Sequence, residues 1–294
     1  MRSSSHSGRP DRPVDRPQTA HPKRDRSHCP PGLYIVGIGP GDLNHLSMRA
    51  RDVLAGVHII VGYGTYLDLV KPLTAGKQII STGMTKEVDR VAAAIEAARE
   101  KKAVALVSSG DPGIYAMAGL ALEMCRARGF SVVPAGKNTA EVSPETLSIE
   151  VVPGIPALCA GAALLGAPLM HDFAAISLSD LMTPWEVIEK RLDAAASADF
   201  VMVIYNPKSK KRFWQLEKAQ QIVLKYRGED TPVGIVTSAM REEQRVEITT
   251  LGRLHQAEVN MQTTVFIGNK SSVRYGEFFI TPRGYGGKYG FGYR

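Results

Sequence analysis

The stretch Leu33-Tyr34-Ile35-Val36-Gly37-Ile38-Gly39-Pro40-Gly41-Asp42 decides the fold. Residues Leu33 to Ile38 form an apolar run too short for a helix, which reads as a buried strand. It runs straight into Gly39-Pro40-Gly41-Asp42. A glycine loop at the C-terminal end of a strand is where open α/β sheets bind ligands, because backbone amides and loop tips converge there. Gly39 and Gly41, lacking Cβ, would let a ligand approach the main chain closely. A tight structural turn explains the same residues equally well. The stretch does not complete G-x-G-x-x-G and no G-x-x-x-x-G-K-[ST] lies nearby, so nucleotide phosphate binding is not supported.

Strand–helix alternation continues outward from this point. Leu46, Val53 and Leu54 fall on helical spacing, and Val57–Val61 reads as a second apolar strand, completing a βαβ-like unit. The pattern predicts a helix over Glu87–Glu100, a strand over Ala103–Ser108, and a helix over Ile114–Arg128 opened by Gly110-Asp111-Pro112-Gly113. Residues 134–148 carry turn and breaker residues without periodicity and read as a surface loop. A helix of small residues over Ala157–Leu165 follows. Strands are expected at Ala174–Leu178, Phe200–Tyr205, Val233–Thr237 and Thr264–Gly268, with helices at Trp185–Ala196 and Phe213–Tyr226. The expected organisation is a two-domain α/β fold: a basic tail over 1–31, an N-terminal domain over 32–150, a C-terminal domain over 151–282, and a tail over 283–294.

Bulk properties exclude several classes. The 294 residues are 44% hydrophobic, 22% charged and 7% aromatic, as in ordinary globular enzymes. No apolar run reaches the ~18 residues of a membrane span. The net charge of +7 is concentrated in residues 1–31, whose seven basic and three acidic residues leave only +3 for the rest. So mildly basic a body, without a Lys/Arg stripe interleaved with aromatics, argues against nucleic acid as partner. The first 31 residues lack the apolar segment of a secretory signal, and Asp11, Asp15 and Asp25 count against a transit peptide. Cys29, Cys125 and Cys159 are widely spaced, with no metal-ligand pattern, and fit a reducing, cytoplasmic compartment.

Two further segments repeat the logic of the first. Ser108-Ser109-Gly110-Asp111-Pro112-Gly113 is a second glycine loop between strand and helix, in which Asp111 reads either as an N-cap or as part of a polar cofactor pocket. Val151-Val152-Pro153-Gly154-Ile155-Pro156-Ala157 leads into Ala160-Gly161-Ala162-Ala163, small residues that suit close packing or a flat ligand. His171 is structural or an acid–base group.

In order, Gly37-Ile38-Gly39-Pro40-Gly41-Asp42, Ser109-Gly110-Asp111-Pro112 and Val151-Val152-Pro153-Gly154-Ile155 resemble the successive signatures of the tetrapyrrole methylases. Val61-Gly62-Tyr63-Gly64-Thr65-Tyr66, the run from His171 to Glu186, and Tyr205-Asn206-Pro207 resemble the branch of that family that methylates C-17 of precorrin-3B. The resemblance covers roughly residues 33–285. It implies S-adenosyl-L-methionine held in a folded pose between two α/β domains, and a homodimer. By matching positions it nominates Pro40, Ser109, Gly110, Asp111, Ile114, Pro156, Ala157, Asn206 and Ala239 for cofactor contact. It further implies methylation of precorrin-3B, or its cobalt form, with ring contraction to precorrin-4 in cobalamin biosynthesis.

A sulfonium is already an activated methyl donor, so in-line positioning, which can supply ~7–11 kcal/mol, is the protein's main task. The chain accordingly lacks G-x-S-x-G and H-E-x-x-H. Proton transfers during ring contraction make His171 the leading acid–base candidate, with Asp42, Asp111 or Asp180 orienting; Asp180 reads equally as a helix cap. Lys208, Lys210, Lys211 and Arg212 are candidates to meet substrate carboxylates, or form a solvated basic loop. The alternatives are a tetrapyrrole methylase acting at another carbon, a nucleic-acid methyltransferase, or a non-catalytic ligand-binding module.

Overall fold

The computed structural model describes residues 28–136, 146–209 and 212–291. The chain begins with β1 (Gly32–Gly37), α1 (Met48–Gly56), β2 (Ile59–Tyr63), α2 (Gly64–Leu69), β3 (Gln78–Thr82), α3 (Glu87–Arg99), β4 (Ala103–Ser108), α4 (Met117–Ala127), β5 (Val132–Pro134) and β6 (Leu147–Val152). These strands form one six-stranded sheet in the order β3-β2-β4-β1-β6-β5, parallel throughout. Alternate residues of β1 face opposite sides: Tyr34 and Val36 pack with Ala50, Val53 and Leu54 of α1, while Leu33 and Ile35 pack with α3 and α4. In α3 the buried residues Val91, Ala94, Ile95 and Ala98 recur at helical spacing, which is why a continuous apolar run sits in the strand and an interrupted one in the helix.

The second half comprises α5 (Ala157–Leu165), β7 (Gly166–Ala167), β8 (Phe173–Ser177), α6 (Trp185–Ser197), β9 (Val201–Tyr205), α7 (Gln215–Val223), β10 (Pro232–Thr237), β11 (Arg245–Thr250), β12 (Thr263–Ile267), β13 (Val273–Tyr275), β14 (Phe278–Ile280) and α8 (Tyr285–Tyr289). Its main sheet runs β11-β10-β12-β9-β8, with only β8 and β9 parallel. Helix α5 lies so close to this sheet that a Cβ on Gly161 would come within 2.6 Å of the Phe266 ring, so glycine at that position serves packing. Among the described residues no helix is long and apolar enough to cross a membrane.

The structure shifts several expected boundaries. The second strand starts at Ile59 rather than Val57, because the Val57 N–H still closes α1 onto the Val53 carbonyl. Helix α4 starts at Met117 rather than Ile114, because Tyr115 takes a left-handed φ of 52° and Ala116 is extended. Leu147 and Ser148 belong to β6 rather than a loop, and β6 carries the first sheet to Val152. Residues 137–145 of the expected loop and 1–27 of the expected tail lie outside the described residues. Cys29, counted with that tail, is buried against Gly56. The expected C-terminal tail contains α8.

Candidate functional site

In the first sheet β1 and β4 lie side by side, yet the chain leaves β1 toward β2 on one side and leaves β4 toward β5 on the other. The helices that follow them, α1 and α4, pack on opposite faces of the sheet, and both loops lie at its C-terminal edge, the ligand-binding edge of doubly wound sheets. There the glycine loops interlock. Gly39 and Gly110 exchange backbone hydrogen bonds, N to O, at 3.1 and 2.8 Å. Gly154, after β6, lies against both: a Cβ there would meet the Gly110 carbonyl at 2.1 Å and the Gly37 carbonyl carbon at 2.8 Å. Glycine is required at this contact by space. Asp111 fastens it, one carboxylate oxygen accepting from the Gly113 N–H at 2.8 Å and the other from the Gly154 N–H at 3.1 Å.

Facing this knot are the loops after β9 and β10. Asn206 has φ 52°, and its amide donates to Ser177 Oγ at 2.9 Å. Ser238 and Met240, on either side of Ala239, also have left-handed backbone, with φ 51° and 58°. Non-glycine residues held this way concentrate at ligand sites. Between the two sets of loops lies a cavity of ≈ 270 Å³. Pro40, Ser109, Gly110, Ala157, Asn206 and Ala239 all line it.

The other nominated cofactor residues stand behind that lining. Asp111 holds Gly154 in place, Ile114 packs into the apolar cluster around Phe266, and Pro156 lies beside Gly110. Asp180 accepts from Gln215 Nε2 at 2.8 Å, and Arg212 is buried, donating from Nε to the Asn206 carbonyl at 3.0 Å. Arg212 thereby braces the Asn206 loop, with the Asp180 carboxylate near enough to favour its charge. Lys208 is exposed, and Lys210 and Lys211 lie outside the described residues.

His171 is placed elsewhere. β8 and β9 run parallel, with Ser177 beside Tyr205 at the cavity end. His171 precedes the start of β8, so about six residues of extended chain, ~20 Å, separate it from Ser177. It is exposed, and its Nδ1 accepts from the Asp172 N–H at 2.9 Å. One chain by itself does not bring His171 to the cavity.

Residues that were not nominated for contact complete the walls, two of them within the quoted motifs. Tyr66 and Tyr205 face the cavity, and burial raises the pKa of each phenol, that of Tyr205 to about 12. Both are therefore neutral near pH 7. The Tyr205 hydroxyl accepts from the Leu158 N–H at the start of α5 at 2.9 Å, and its ring lies 5.1 Å from that of Tyr115. Among the described residues Arg241 is the one charged residue in the lining. No motif marks it; the signal was only a basic residue following the loose Thr237-Ser238-Ala239-Met240 segment.

The family model described as Tetrapyrrole (Corrin/Porphyrin) Methylases matches residues 32–255. The chain is 48% identical over 257 residues to the cobalt-factor III methyltransferase of Priestia megaterium, covering 87% of this chain and 46% of that protein, so it spans under half of that relative's length. It is 47% identical over 255 residues to the probable cobalt-factor III C(17)-methyltransferase of Salmonella typhimurium, covering 86% of this chain and 99% of that one. Among solved structures, the methyltransferase CobJ is similar with a TM-score of 0.75 at 34% identity, covering 85% of this chain and 99% of that chain.

Proposed function

From the premise that the chain belongs to the tetrapyrrole methylases, we propose that it transfers a methyl group from S-adenosyl-L-methionine to C-17 of a precorrin-3B-type macrocycle in its cobalt-bearing form, with ring contraction. The observation that carries this reading is the meeting of loops after β1, β4, β9 and β10 around one cavity. The choice of the cobalt form rests on the names of the relatives at 47 and 48% identity.

The residues present fit such a donor. The cavity is of ligand size, close to the lower end of the usual ~300–1,000 Å³ range, which suits a folded rather than an extended molecule. Main chain at Pro40, Ser109 and Gly110 offers close approach, and the electron-rich rings of Tyr66 and Tyr205 tolerate a cationic sulfur. S-adenosylmethionine supplies an electrophilic methyl group. The chain's own residues bind, orient and exclude water. Pro40, Ser109, Gly110, Ala157, Asn206 and Ala239 hold the donor, Asp111 fixes the loops that present them, and Arg212, its charge favoured by Asp180, steadies Asn206. Tyr205 stays protonated and orders the start of α5 instead of acting as a base. In a single chain His171 serves no step in this cleft. The partner is a second copy of the chain, for which Tyr275, Phe278, Tyr285 and Tyr289 offer exposed apolar surface.

Incubating the protein with methyl-labelled S-adenosylmethionine and cobalt-factor III tests the proposal. One labelled methyl at C-17 is expected. Label on another carbon would place the chain elsewhere in the family, and no transfer to any tetrapyrrole would end the reading.

A further inference from the structure

One cation crosses the cleft. The Arg241 Nε donates to the Pro40 carbonyl at 2.6 Å, and its Nη2 donates to Ser109 Oγ at 3.0 Å. Nε and Nη2 form one edge of the guanidinium, the kind of fork that grips both oxygens of a carboxylate. Here it grips two neutral oxygens, presented by the loops after β1 and β4. Among the described residues no carboxylate lies within ion-pair distance of Arg241. Burial lowers its pKa, a loss that the more distant Glu243 carboxylate offsets only in part.

The surroundings are built around this side chain. Gly41 has φ 135°, and a Cβ there would come within 2.8 Å of Arg241 Nε. Left-handed backbone at Ser238 and Met240 sets the turn that aims Arg241 across the cleft. Arg241, with Thr65 and Gln262, lines both the ≈ 270 Å³ cavity and an outer bay of ≈ 720 Å³. The bay is lined by Asp42, Asp68, Glu242 and Glu243, which repel an anion, whereas among the described residues the inner cavity has no acidic residue in its lining. An anion is therefore favoured on the inner side of Arg241. Charge-assisted hydrogen bonds are roughly twice as strong as neutral ones, so an arriving carboxylate competes well with a carbonyl and a hydroxyl.

We propose that Arg241 is the carboxylate receptor of the cleft: its fork clasps the two halves through Pro40 and Ser109 in the ligand-free chain and exchanges those oxygens for a ligand carboxylate on binding. The inference rests on the methyltransferase reading for the identity of the ligand. The carboxylate is either that of the donor's amino-acid end or a peripheral side chain of the macrocycle.

The test uses the full chain, isothermal titration with S-adenosylhomocysteine and with its decarboxylated analogue, and titration with the tetrapyrrole substrate. Arg241→Gln is expected to weaken binding of a carboxylate-bearing ligand by about tenfold to a hundredfold. If the donor's carboxylate is the partner, S-adenosylhomocysteine loses this affinity and the decarboxylated analogue does not. If the macrocycle's is, S-adenosylhomocysteine binds as before and the substrate dissociation constant rises. Arg241→Lys keeps the charge without the planar fork and is expected to fall between, and it carries the test should Arg241→Gln fail to fold. Equal weakening of the homocysteine ligand and its decarboxylated analogue, or less than about a twofold change for every ligand, overturns the role of Arg241 alone. Failure of the unaltered protein to bind either ligand overturns the methyltransferase reading, and this inference with it.

Discussion

The loops after β1, β4 and β6 touch one another through main chain, whereas the loops after β9 and β10 are held by side chains and by left-handed backbone. In the first group Gly37 and Gly154 pack against Gly110 so closely that neither has room for a Cβ, and Gly110 itself has a left-handed φ of 65°. In the second, Asn206 is tied by its own amide to Ser177 and by its carbonyl to Arg212, while Arg241 reaches over to the opposite half. The two arrangements teach different things about one cleft. The glycine knot is a rigid floor with a single geometry, and the facing loops form a wall whose contacts can be exchanged one at a time.

The contrast is broken most severely at Gly154. Gly154→Ala puts a methyl group 2.1 Å from the Gly110 carbonyl, where only backbone can yield. A loss of about 3 kcal/mol or more in urea unfolding is expected, together with loss of S-adenosylhomocysteine binding. Asp111→Ala leaves the Gly154 N–H without its acceptor and should cost about 1–3 kcal/mol in the same assay. On the opposite wall, Asn206→Ala must hold φ 52° without a side-chain tie, for a cost of about 1–2 kcal/mol. Asn206→Gly relieves the backbone part, so the difference between the two variants measures strain separately from the lost hydrogen bond.

A smaller effect belongs to alkaline pH. The folded-state pKa of Tyr205 is raised to about 12, above an ordinary value of ~10, so the folded chain holds its proton more tightly. Its contribution is fully present below pH ~10 and is lost as pH rises toward the folded value. Tyr205→Phe should flatten that decline in a melting-temperature series. Smallest of all is His171→Ala, an exposed change away from the cleft, with an expected stability shift within about 0.5 kcal/mol and unchanged S-adenosylhomocysteine affinity. A loss of turnover in that variant, with cofactor affinity intact, would show that the acting cleft is not built from one chain alone.

Legibility along the sequence followed burial. Strands such as β1, β4 and β9 are covered on both faces and read as continuous apolar runs. β11, Arg245-Val246-Glu247-Ile248-Thr249-Thr250, is an exposed edge strand with no such run, and β13 and β14 are only three residues each; none was expected. The glycine loops were legible because close approach leaves a compositional mark. Arg241 was not, because an arginine directly after a strand-end motif looks like any solvated basic residue until its neighbours are known.

By itself the sequence determined the α/β class, the order of the glycine loops and the family that their combination marks, since these depend on local spacing and residue type. Only the tertiary structure decided which residues share the cleft. It separated His171 from Ser177 by the length of a strand, set Asp111 and Asp180 behind the lining, and carried Arg241 across 201 positions of sequence to Pro40. Strand direction and the relative placement of the two sheets set those relations, and neither is written in any local stretch of residues.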